Sequence, residues 1–303
     1  MTPQQPTNIS VIDPLRPAFE RVKVILFKPF DLGKWFVIGF CAWLAGLGEG
    51  LGGGGGSRWQ RGGDLRQAGQ QAKEFILENL AWLVPVAIII LLVIIGLWIL
   101  FTWISSRGQF MFLHCVAQNK AEVKVPWSKF RRHATGLFLF RVIVGLIALA
   151  AFSLPCIVLI VFLVMGLSDA GYFGPGAGLV LTVIVIAVLV IAFWLVKRFT
   201  IDFVVPIMFL RTESCTAAWR EFLTLLSANK AHFALYALFR IVIAVTIGLI
   251  ILAAVLATCC CAACILGIPY IGTVALLPIL VFVRAYSLYY FRQFGPQFDV
   301  FMP

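Results

Sequence analysis

Six runs of apolar residues in this chain are long enough to cross a lipid bilayer. The hydrocarbon core of a bilayer is about 30 Å thick, so a crossing helix needs roughly 20 residues. The runs cover residues 34–48, 80–104, 136–165, 178–200, 233–257 and 270–291, and the first is the shortest. A hydrophobic content of 62% and a mean hydropathy of +1.01 exclude a soluble globular domain. The sequence therefore predicts an all-helical integral membrane protein with six transmembrane helices.

Basic residues lie in alternate connectors between these runs. The N-terminal segment holds five Lys and Arg residues, connector 105–135 holds six and connector 197–232 holds five, whereas 166–177 and 265–269 hold none. Because Lys and Arg accumulate on the cytoplasmic side of membranes, both termini are expected in the cytoplasm. The excess of 24 basic over 13 acidic residues therefore indicates orientation and not nucleic-acid binding.

The basic connectors also resemble one another and predict a threefold internal repeat. Trp127 and Phe130 have the same spacing as Trp219 and Phe222, and "RPAFERVKVILF" near the start has a similar amphipathic pattern. Each unit would consist of an amphipathic helix at the membrane surface and a helical hairpin. The three pseudo-repeats would form one membrane domain, 1–303, with units 14–118, 119–213 and 214–303.

Three aromatic-rich segments end the returning helices of these units. They read "SSRGQFMFLHC" (105–115), "TIDFVVPIMFLR" (200–211) and "RQFGPQFDVFMP" (292–303). Their polar residues and prolines argue against a continued span. We therefore expect these segments to run along the membrane interface.

A glycine-rich segment, 48–79, interrupts the repeat pattern. It contains five consecutive glycines, which behave as flexible coil. We interpret it as an expanded outer loop that the fold tolerates. A loop that gates a substrate is the alternative interpretation.

No catalytic set of residues is recognisable. The three histidines, His114, His133 and His232, lie in connectors predicted to be cytoplasmic, and the acidic residues are scattered singly. Metalloprotease, nucleophile-elbow and phosphate-loop motifs do not occur in the sequence. An enzyme would need paired acid and base groups in a protected site. We therefore expect a protein that is not an enzyme and has no cofactor.

Four cysteines cluster near the outer end of the fifth span: Cys259, Cys260, Cys261 and Cys264. Thiolates could hold a soft metal such as Cu(I), or form disulfides in an oxidising compartment. Cysteine is also a small apolar residue that packs well between helices, and Ala262 and Ala263 continue that character. Helix packing is the preferred interpretation, and a metal or redox site is the alternative.

Charged residues within or beside the spans are the strongest site candidates: Arg141, Arg240, Arg284 and Asp202. "HATGLFLFR" (133–141) and "HFALYALFR" (232–240) place a histidine and an arginine at the same spacing, with Cys41 in the corresponding place of the first unit. A charge in hydrocarbon is costly and normally pairs inside the bundle, so Asp202 is the expected counter-ion of Arg240. All four residues would line the cytoplasmic mouth of any polar cavity. The alternative is that the arginines contact lipid phosphates or connector carbonyls.

Several segments together resemble a group of bacterial six-span membrane proteins. These segments are "AFERVKVILFKPFDLGKWFVIGF", "FVVPIMFL", "AAWREFLTLLSANKAHFALYALFRI" and "RAYSLYYFRQFG". The group includes the membrane domain found with glycerophosphoryl diester phosphodiesterases and related families of unknown function. The resemblance implies a bacterial inner-membrane location and a link to lipids. It transfers no catalytic residue, because no segment here matches the soluble phosphodiesterase domain.

These observations leave two functions open. The first is a non-enzymatic scaffold or accessory subunit whose basic connectors bind anionic lipid headgroups, through Arg131, Arg132, Arg220 and Lys230. The second is a small-solute or ion transporter or channel built around the intramembrane charges. The expected partners are membrane lipids, further copies of the chain or a larger membrane complex, and no nucleic acid.

Overall fold

The computed structural model describes residues 9–47, 80–168, 176–211, 213–258 and 261–301. Every regular element in these ranges is helical. In chain order the helices are α1 (Leu15–Val22, continued by a π-helical turn Lys23–Phe27), α2 (Leu32–Gly46), α3 (Leu80–Gln118), α4 (Lys124–Lys129), α5 (Arg131–Ser168), α6 (Gly176–Phe199), α7 (Val205–Arg211), α8 (Cys215–Ala228), α9 (Lys230–Ala257), α10 (Cys261–Gly267), α11 (Pro269–Ala275) and α12 (Leu277–Arg292). A π-helical turn, Thr200–Val204, joins α6 to α7, and a 3₁₀ turn, Pro296–Phe298, follows α12. The predicted glycine-rich loop, 48–79, lies outside the described residues.

Four helices are long and apolar enough to cross a membrane. They cover Trp82–Gln118, Arg131–Phe162, Gly178–Arg211 and Lys230–Ala257, with lengths of 37, 32, 34 and 28 residues. Each exceeds the roughly 20 residues that a hydrocarbon core requires. They overlap the second to fifth predicted spans over nearly all of their length, so the hydropathy of the sequence located these helices correctly.

The first and last predicted spans do not form long helices. Helix α2 has 15 residues, about 22 Å at 1.5 Å per residue, which is short of a bilayer core. The run 270–291 is divided at Leu276, where α11 ends and α12 begins. Pro278 follows in the first turn of α12 and has no N–H to donate to the preceding turn. The described residues therefore contain four candidate spans where the sequence predicted six.

Buried residues gather at one end of the long helices. In α3, side chains from Phe110 to Val116 are 0–7% exposed, whereas Trp82 and Ile89 near its start are 55% and 60% exposed. The buried end adjoins connectors 119–130 and 213–229, which carry exposed Lys and Arg side chains. We call this part of the molecule the basic end. The opposite ends of the helices show the apolar surface that lipid would cover.

Aromatic rings join the elements of the basic end. Phe130, from the first basic connector, stacks on Phe209 with ring centroids 4.9 Å apart. Phe222, from α8, stacks on Phe203 at 5.3 Å. Phe294, after α12, stacks on Phe233 at 4.9 Å. These contacts pack both basic connectors and the segment after α12 into one core.

Two of the aromatic-rich segments, 105–115 and 200–211, continue the helices before them, although the sequence predicted that they leave the span and run along the membrane interface. The interfacial position of 292–303 stays a prediction. Helix α3 continues without interruption to Gln118, and residues 200–208 are buried. Two serine hydroxyls of the first segment are bonded inside the protein: Ser105 Oγ donates to Ala45 O at 2.7 Å and Ser106 Oγ donates to Thr102 O at 2.8 Å. The polar residues that suggested an exposed segment therefore hold the core together.

Helix α2 packs against the part of α3 that lies in the basic end. A Cβ atom on Gly108 would overlap the backbone of Ala45, so only glycine permits this close approach. Further along, the Sγ atoms of Cys41 and Cys115 lie 3.9 Å apart and both side chains are buried. Helix α2 thus thickens the buried core and does not extend along the exposed half of α3.

The threefold repeat is not confirmed. Short helices do precede α2, α5 and α9, but they have 8, 6 and 14 residues. The helices that follow them have 15, 38 and 28 residues. A short helix therefore precedes a longer one in all three units, but the lengths of these helices differ between the units.

Candidate functional site

A π-helical turn in the basic end carries the buried carboxylate Asp202. The N–H of Val205 donates to Thr200 O, five residues back, which is the π-helical pattern. The next donor in that register would be residue 206, which is a proline without an N–H. Arg284 of α12 supplies the missing donor, because its Nη1 lies 2.6 Å from Ile201 O. The interrupted helix is thus completed by a side chain from another helix.

Three groups converge on one oxygen of Asp202. Oδ2 lies 3.0 Å from Arg198 Nε and 3.5 Å from Arg240 Nε, and it accepts a hydrogen bond from the Tyr236 hydroxyl at 2.9 Å. The Asp202 side chain is only 2% exposed. Losing one member of such a buried network costs far more than breaking an ion pair on the surface.

Arg240 is held mainly by charge and by aromatic neighbours of the same helix face. It is 4% exposed, and its 3.5 Å contact with Asp202 is an ion pair without hydrogen-bond geometry. Tyr236 precedes it by four residues, so both side chains project from one face of α9. Tyr236 in turn packs on Tyr290 with centroids 4.5 Å apart. Arg240 is therefore tied to the π turn through Asp202, and Tyr236 on the same face of α9 packs on α12.

A small cavity lies beside this network. It has a volume of about 110 Å³ and is lined by Gln109, Arg198, Asp202 and Arg284, with Gly46 at the end of α2. Such a space holds several water molecules. It is small beside the roughly 300–1,000 Å³ of pockets that enclose ligands. The buried charges therefore lie beside a small space whose wall also includes apolar side chains of α2, α3 and α12.

Arg141 does not join these buried charges, although the sequence placed it beside Asp202, Arg240 and Arg284. Its Nη1 donates to Ser105 Oγ at 3.2 Å, and Ser105 Oγ donates to Ala45 O. Arg141 and Lys197 line a different space of about 210 Å³ between α3, α5 and α6. The predicted group of four is thus divided: Asp202, Arg240 and Arg284 are buried near one another, and Arg141 lines a separate groove.

The two arginine sites occupy matching places in the sequence. Ser105 and Asp202 each lie six residues before the methionine of a Met-Phe-Leu sequence, at Met111 and Met208. Arg141 contacts Ser105, and Arg240 contacts Asp202. The arginine that contacts serine is therefore half-buried, and the arginine that contacts aspartate is buried.

The four predicted headgroup contacts are all exposed: Arg131, Arg132, Arg220 and Lys230. They belong to α5, α8 and α9 and lie in or beside the two basic connectors. Glu221 next to Arg220 pairs with Arg211 at 2.7 Å. Burial raises the pKa of Glu221, and the charge of Arg211 opposes that shift. This acidic group is consequently engaged within the protein, and the exposed charge of the connectors is mainly positive.

Comparison with protein-family models identifies the family of this chain. Residues 9–301 match DUF7544, described as a family of unknown function. The chain belongs to the DUF7544 family. Comparison with the curated proteins and with the solved structures finds no match. Nothing in these findings links the chain to the glycerophosphoryl diester phosphodiesterase membrane domain.

Two arginines that the sequence did not single out organise the basic end of this DUF7544 protein. Arg21 donates to the carbonyls of Val116 and Ala117, which α3 leaves unpaired at its C-terminus. Arg107 lies between two rings, with Cζ 4.3 Å from the centroid of Trp103 and 4.7 Å from that of Trp127. The sequence suggested carbonyl contacts only for Arg141, Arg240 and Arg284, so it did not predict this role of Arg21. Only the fold brings its distant partners together.

Two of the four cysteines in the predicted cluster of this DUF7544 protein lie outside the residues that the structure describes. Cys259 and Cys260 are not described, and Cys264 is exposed on α10. Within the described ranges, no three His, Cys, Asp or Glu residues are placed to hold a metal ion. Packing and metal binding by Cys259, Cys260, Cys261 and Cys264 both remain predictions.

Proposed function

We propose that this protein is a non-enzymatic membrane protein that binds anionic lipid headgroups at its basic end, as a scaffold or accessory subunit. The observation that supports this most is the common exposure of Arg131, Arg132, Arg220 and Lys230 at one end of four membrane-length helices. Each Lys or Arg near an anionic membrane surface contributes about 1 kcal/mol of attraction. Four such residues give a substantial preference for anionic over zwitterionic lipid.

The apolar surface of the long helices supports a membrane position next to the basic end. The most apolar 18-residue window of α3 has no buried residue, and those of α5, α6 and α9 are 6% buried. A surface of this kind is stable in lipid and aggregates in water. Exposed apolar side chains approach the basic end as far as Leu139 on α5 and Trp194 on α6. Headgroups of the adjacent leaflet would therefore surround the basic end.

We further propose that the basic end faces the cytoplasm of a bacterium, with the protein in the inner membrane. The positive-inside distribution of Lys and Arg supports this orientation. Helix α2 and the broken helices α10 to α12 would complete six membrane-inserted elements in three pseudo-repeats. Cysteine accessibility to a membrane-impermeant reagent, measured at an added residue in 119–123, tests the orientation. Labelling of this added cysteine from the periplasmic side of spheroplasts would show the opposite orientation.

Charge removal tests lipid binding directly. A variant with Arg131→Gln, Arg132→Gln, Arg220→Gln and Lys230→Gln is reconstituted in nanodiscs of mixed phosphatidylglycerol and phosphatidylcholine. We expect it to retain less phosphatidylglycerol after washing in detergent than the unchanged protein, as measured by mass spectrometry of bound lipids. A charge-preserving variant, Arg131→Lys with Arg132→Lys and Arg220→Lys, is the matched control. Equal retention by both variants would refute the proposal.

Transport is the second candidate, and the buried charges around Asp202 favour it. Ionisable residues inside membrane proteins are often parts of ion or substrate pathways. The small cavity beside Asp202 would have to open during transport. Flux of ions or small solutes into proteoliposomes tests this function. A flux that disappears in Asp202→Asn and Arg240→Ala would support transport, and a flux unchanged in both would exclude this site.

A further inference from the structure

A groove between α3, α5 and α6 changes from polar to apolar along its length. Its volume is about 210 Å³. Arg141 and Lys197 provide charged groups on its wall, and none of the described residues that line it is acidic. The rest of the wall is largely apolar: Trp98, Val144, Gly145, Ala148, Phe193 and Val196. The groove therefore combines positive charge with a hydrophobic surface.

The directions of the helices place its charges nearer the basic end. Helices α3 and α6 run toward the basic end, and α5 runs away from it. Arg141 thus lies nearer the basic end than Gly145 and Ala148, and Lys197 lies nearer than Phe193. At 1.5 Å per residue, the apolar part extends about 10 Å beyond Arg141 along α5. This polarity matches an amphiphile that points its headgroup toward the basic end.

The charged part of the groove is positioned before any ligand arrives. Arg141 is oriented by its hydrogen bond to Ser105, which is itself bonded to Ala45 O. The hydroxyls of Thr102 and Thr200 donate to carbonyls of their own helices, at 2.7 and 2.6 Å. An anion in the groove would therefore be held by the guanidinium and the ammonium groups. Arginine suits this task because its planar donors match phosphate oxygens.

The apolar part of the groove depends on a close contact between α3 and α5. A Cβ atom on Gly145 would lie 2.8 Å from Cζ2 of Trp98, so glycine lets the indole ring lie against the backbone of α5. Phe193 on the opposite wall packs on Phe152, with centroids 5.8 Å apart. The rings and the bare helix backbone form a surface that suits an acyl chain.

We propose that this groove binds one anionic phospholipid, with its phosphate between Arg141 and Lys197 and an acyl chain along the wall formed by Trp98 and Phe193. The inference deepens the proposed function and rests on its claim that anionic lipid contacts this end of the protein. It adds a defined site to the diffuse attraction of the exposed connectors. Arg141 lies ten residues farther along α5 than Arg131, a distance of about 15 Å. The two sets of charges can therefore be tested separately.

The experiment compares three variants of the full chain in detergent micelles. The first, Arg141→Gln with Lys197→Gln, removes both charges of the groove. The second, Arg131→Gln with Arg132→Gln, removes two charges from the same helix region outside the groove. The third, Ala148→Phe, fills the apolar part and keeps every charge. Native mass spectrometry with added phosphatidylglycerol or phosphatidylcholine measures the first bound lipid.

We expect the unchanged protein to bind one phosphatidylglycerol more tightly than phosphatidylcholine. Removing both groove charges should weaken that first binding event roughly tenfold or more, from about 1 kcal/mol for each charge near a lipid phosphate. Ala148→Phe should also weaken it, although no charge has changed. The variant Arg131→Gln with Arg132→Gln should weaken the first binding event less than the groove variant does, since the groove is intact and only the diffuse attraction is reduced.

Three outcomes would overturn the inference. The first is unchanged affinity in the groove variant that remains folded and monodisperse. The second is a loss confined to Arg131→Gln with Arg132→Gln, which would leave the proposed function standing and remove the groove as its site. The third is equal binding of both lipids by the unchanged protein, which would contradict the inference and the proposed function together. If the groove variant does not fold, Ala148→Phe still decides between a defined site and diffuse attraction.

Discussion

Arg240 and Arg141 end two stretches of similar sequence, yet the fold uses them differently. Arg240 is 4% exposed and lies within 3.5 Å of the buried carboxylate of Asp202. Arg141 is half-buried, bonds the neutral hydroxyl of Ser105 and lines a groove. Each arginine is the ninth residue of its stretch and projects from a helix that leaves the basic end. Their environments differ in the residue that each one meets on the neighbouring helix.

The comparison shows how one partner residue decides the role of a charge in a membrane protein. A carboxylate beside Arg240 neutralises it and makes it part of the core. A hydroxyl beside Arg141 orients the guanidinium but leaves its positive charge. The first arrangement stabilises the fold, and the second can attract an anion. Four variants test whether the two sites differ in their effects on the free energy of unfolding and on lipid affinity.

Removing the carboxylate of the buried site should have the largest effect. Asp202→Asn leaves Arg198 and Arg240 beside a neutral amide in a buried environment. We expect the free energy of unfolding to fall by about 3–5 kcal/mol, the range for breaking one side of a buried ion pair. Reversible unfolding of the protein in mixed micelles measures this loss. Ser105→Ala at the matching position is the control and should cost less than about 1.5 kcal/mol. A similar loss of unfolding free energy in both variants would show that the two sites contribute equally to stability.

Removing one hydrogen bond from the buried site should have a smaller effect. Tyr236→Phe deletes the hydroxyl that donates to Asp202 at 2.9 Å. A hydrogen bond to a charged group contributes roughly 1.5–3 kcal/mol, and we expect that loss in the free energy of unfolding. Tyr270→Phe is the matched control, because its hydroxyl donates to Phe36 O in an exposed place. Equal losses in the two variants would show that the carboxylate gives Tyr236 no special role.

Adding a carboxylate beside Arg141 should make its site resemble that of Arg240, where a carboxylate offsets the positive charge. Ser105→Asp places a negative charge beside Arg141, and we expect the affinity for phosphatidylglycerol to fall about fivefold, which corresponds to about 1 kcal/mol. Ser105→Asn has a similar size without the charge and should keep the affinity. Titration of the first bound lipid by native mass spectrometry distinguishes them. An affinity that falls equally in both variants would point to a change of shape.

Removing the charge of the half-buried arginine should have the smallest effect on stability. Arg141→Gln removes the hydrogen bond to Ser105 from a half-buried site, so the free energy of unfolding should fall by about 1 kcal/mol, the usual net contribution of a hydrogen bond. Arg240→Gln in the buried site is the comparison and should cost several-fold more. Both are measured by unfolding in the same micelles. A loss at Arg141 as large as the loss at Arg240 would identify Arg141 as a structural residue.

Part of the fold and of the site follows from local sequence. Helices α3, α5, α6 and α9 were located by hydropathy, because a long apolar run has few stable alternatives to a helix in lipid. The expected pairing of Asp202 with Arg240 is present, because a lone buried charge is too costly. The break at Leu276 was missed, since average hydropathy does not register how Pro278 interrupts a helix. Burial of residues 105–115 was missed because Ser105 and Gln109 donate to Ala45 O of α2, which is distant in the sequence.

The sequence by itself determined the class of protein, the long helices and the end of the molecule that carries positive charge. These properties depend on composition and on neighbours along the chain, which local physical chemistry governs. The tertiary structure decided which arginine became part of the core and which remained on a groove. That choice depends on residues about 36–38 positions away, Ser105 for Arg141 and Asp202 for Arg240. Only the packing of separate helices brings such partners within bonding distance, because no local rule links them in the sequence.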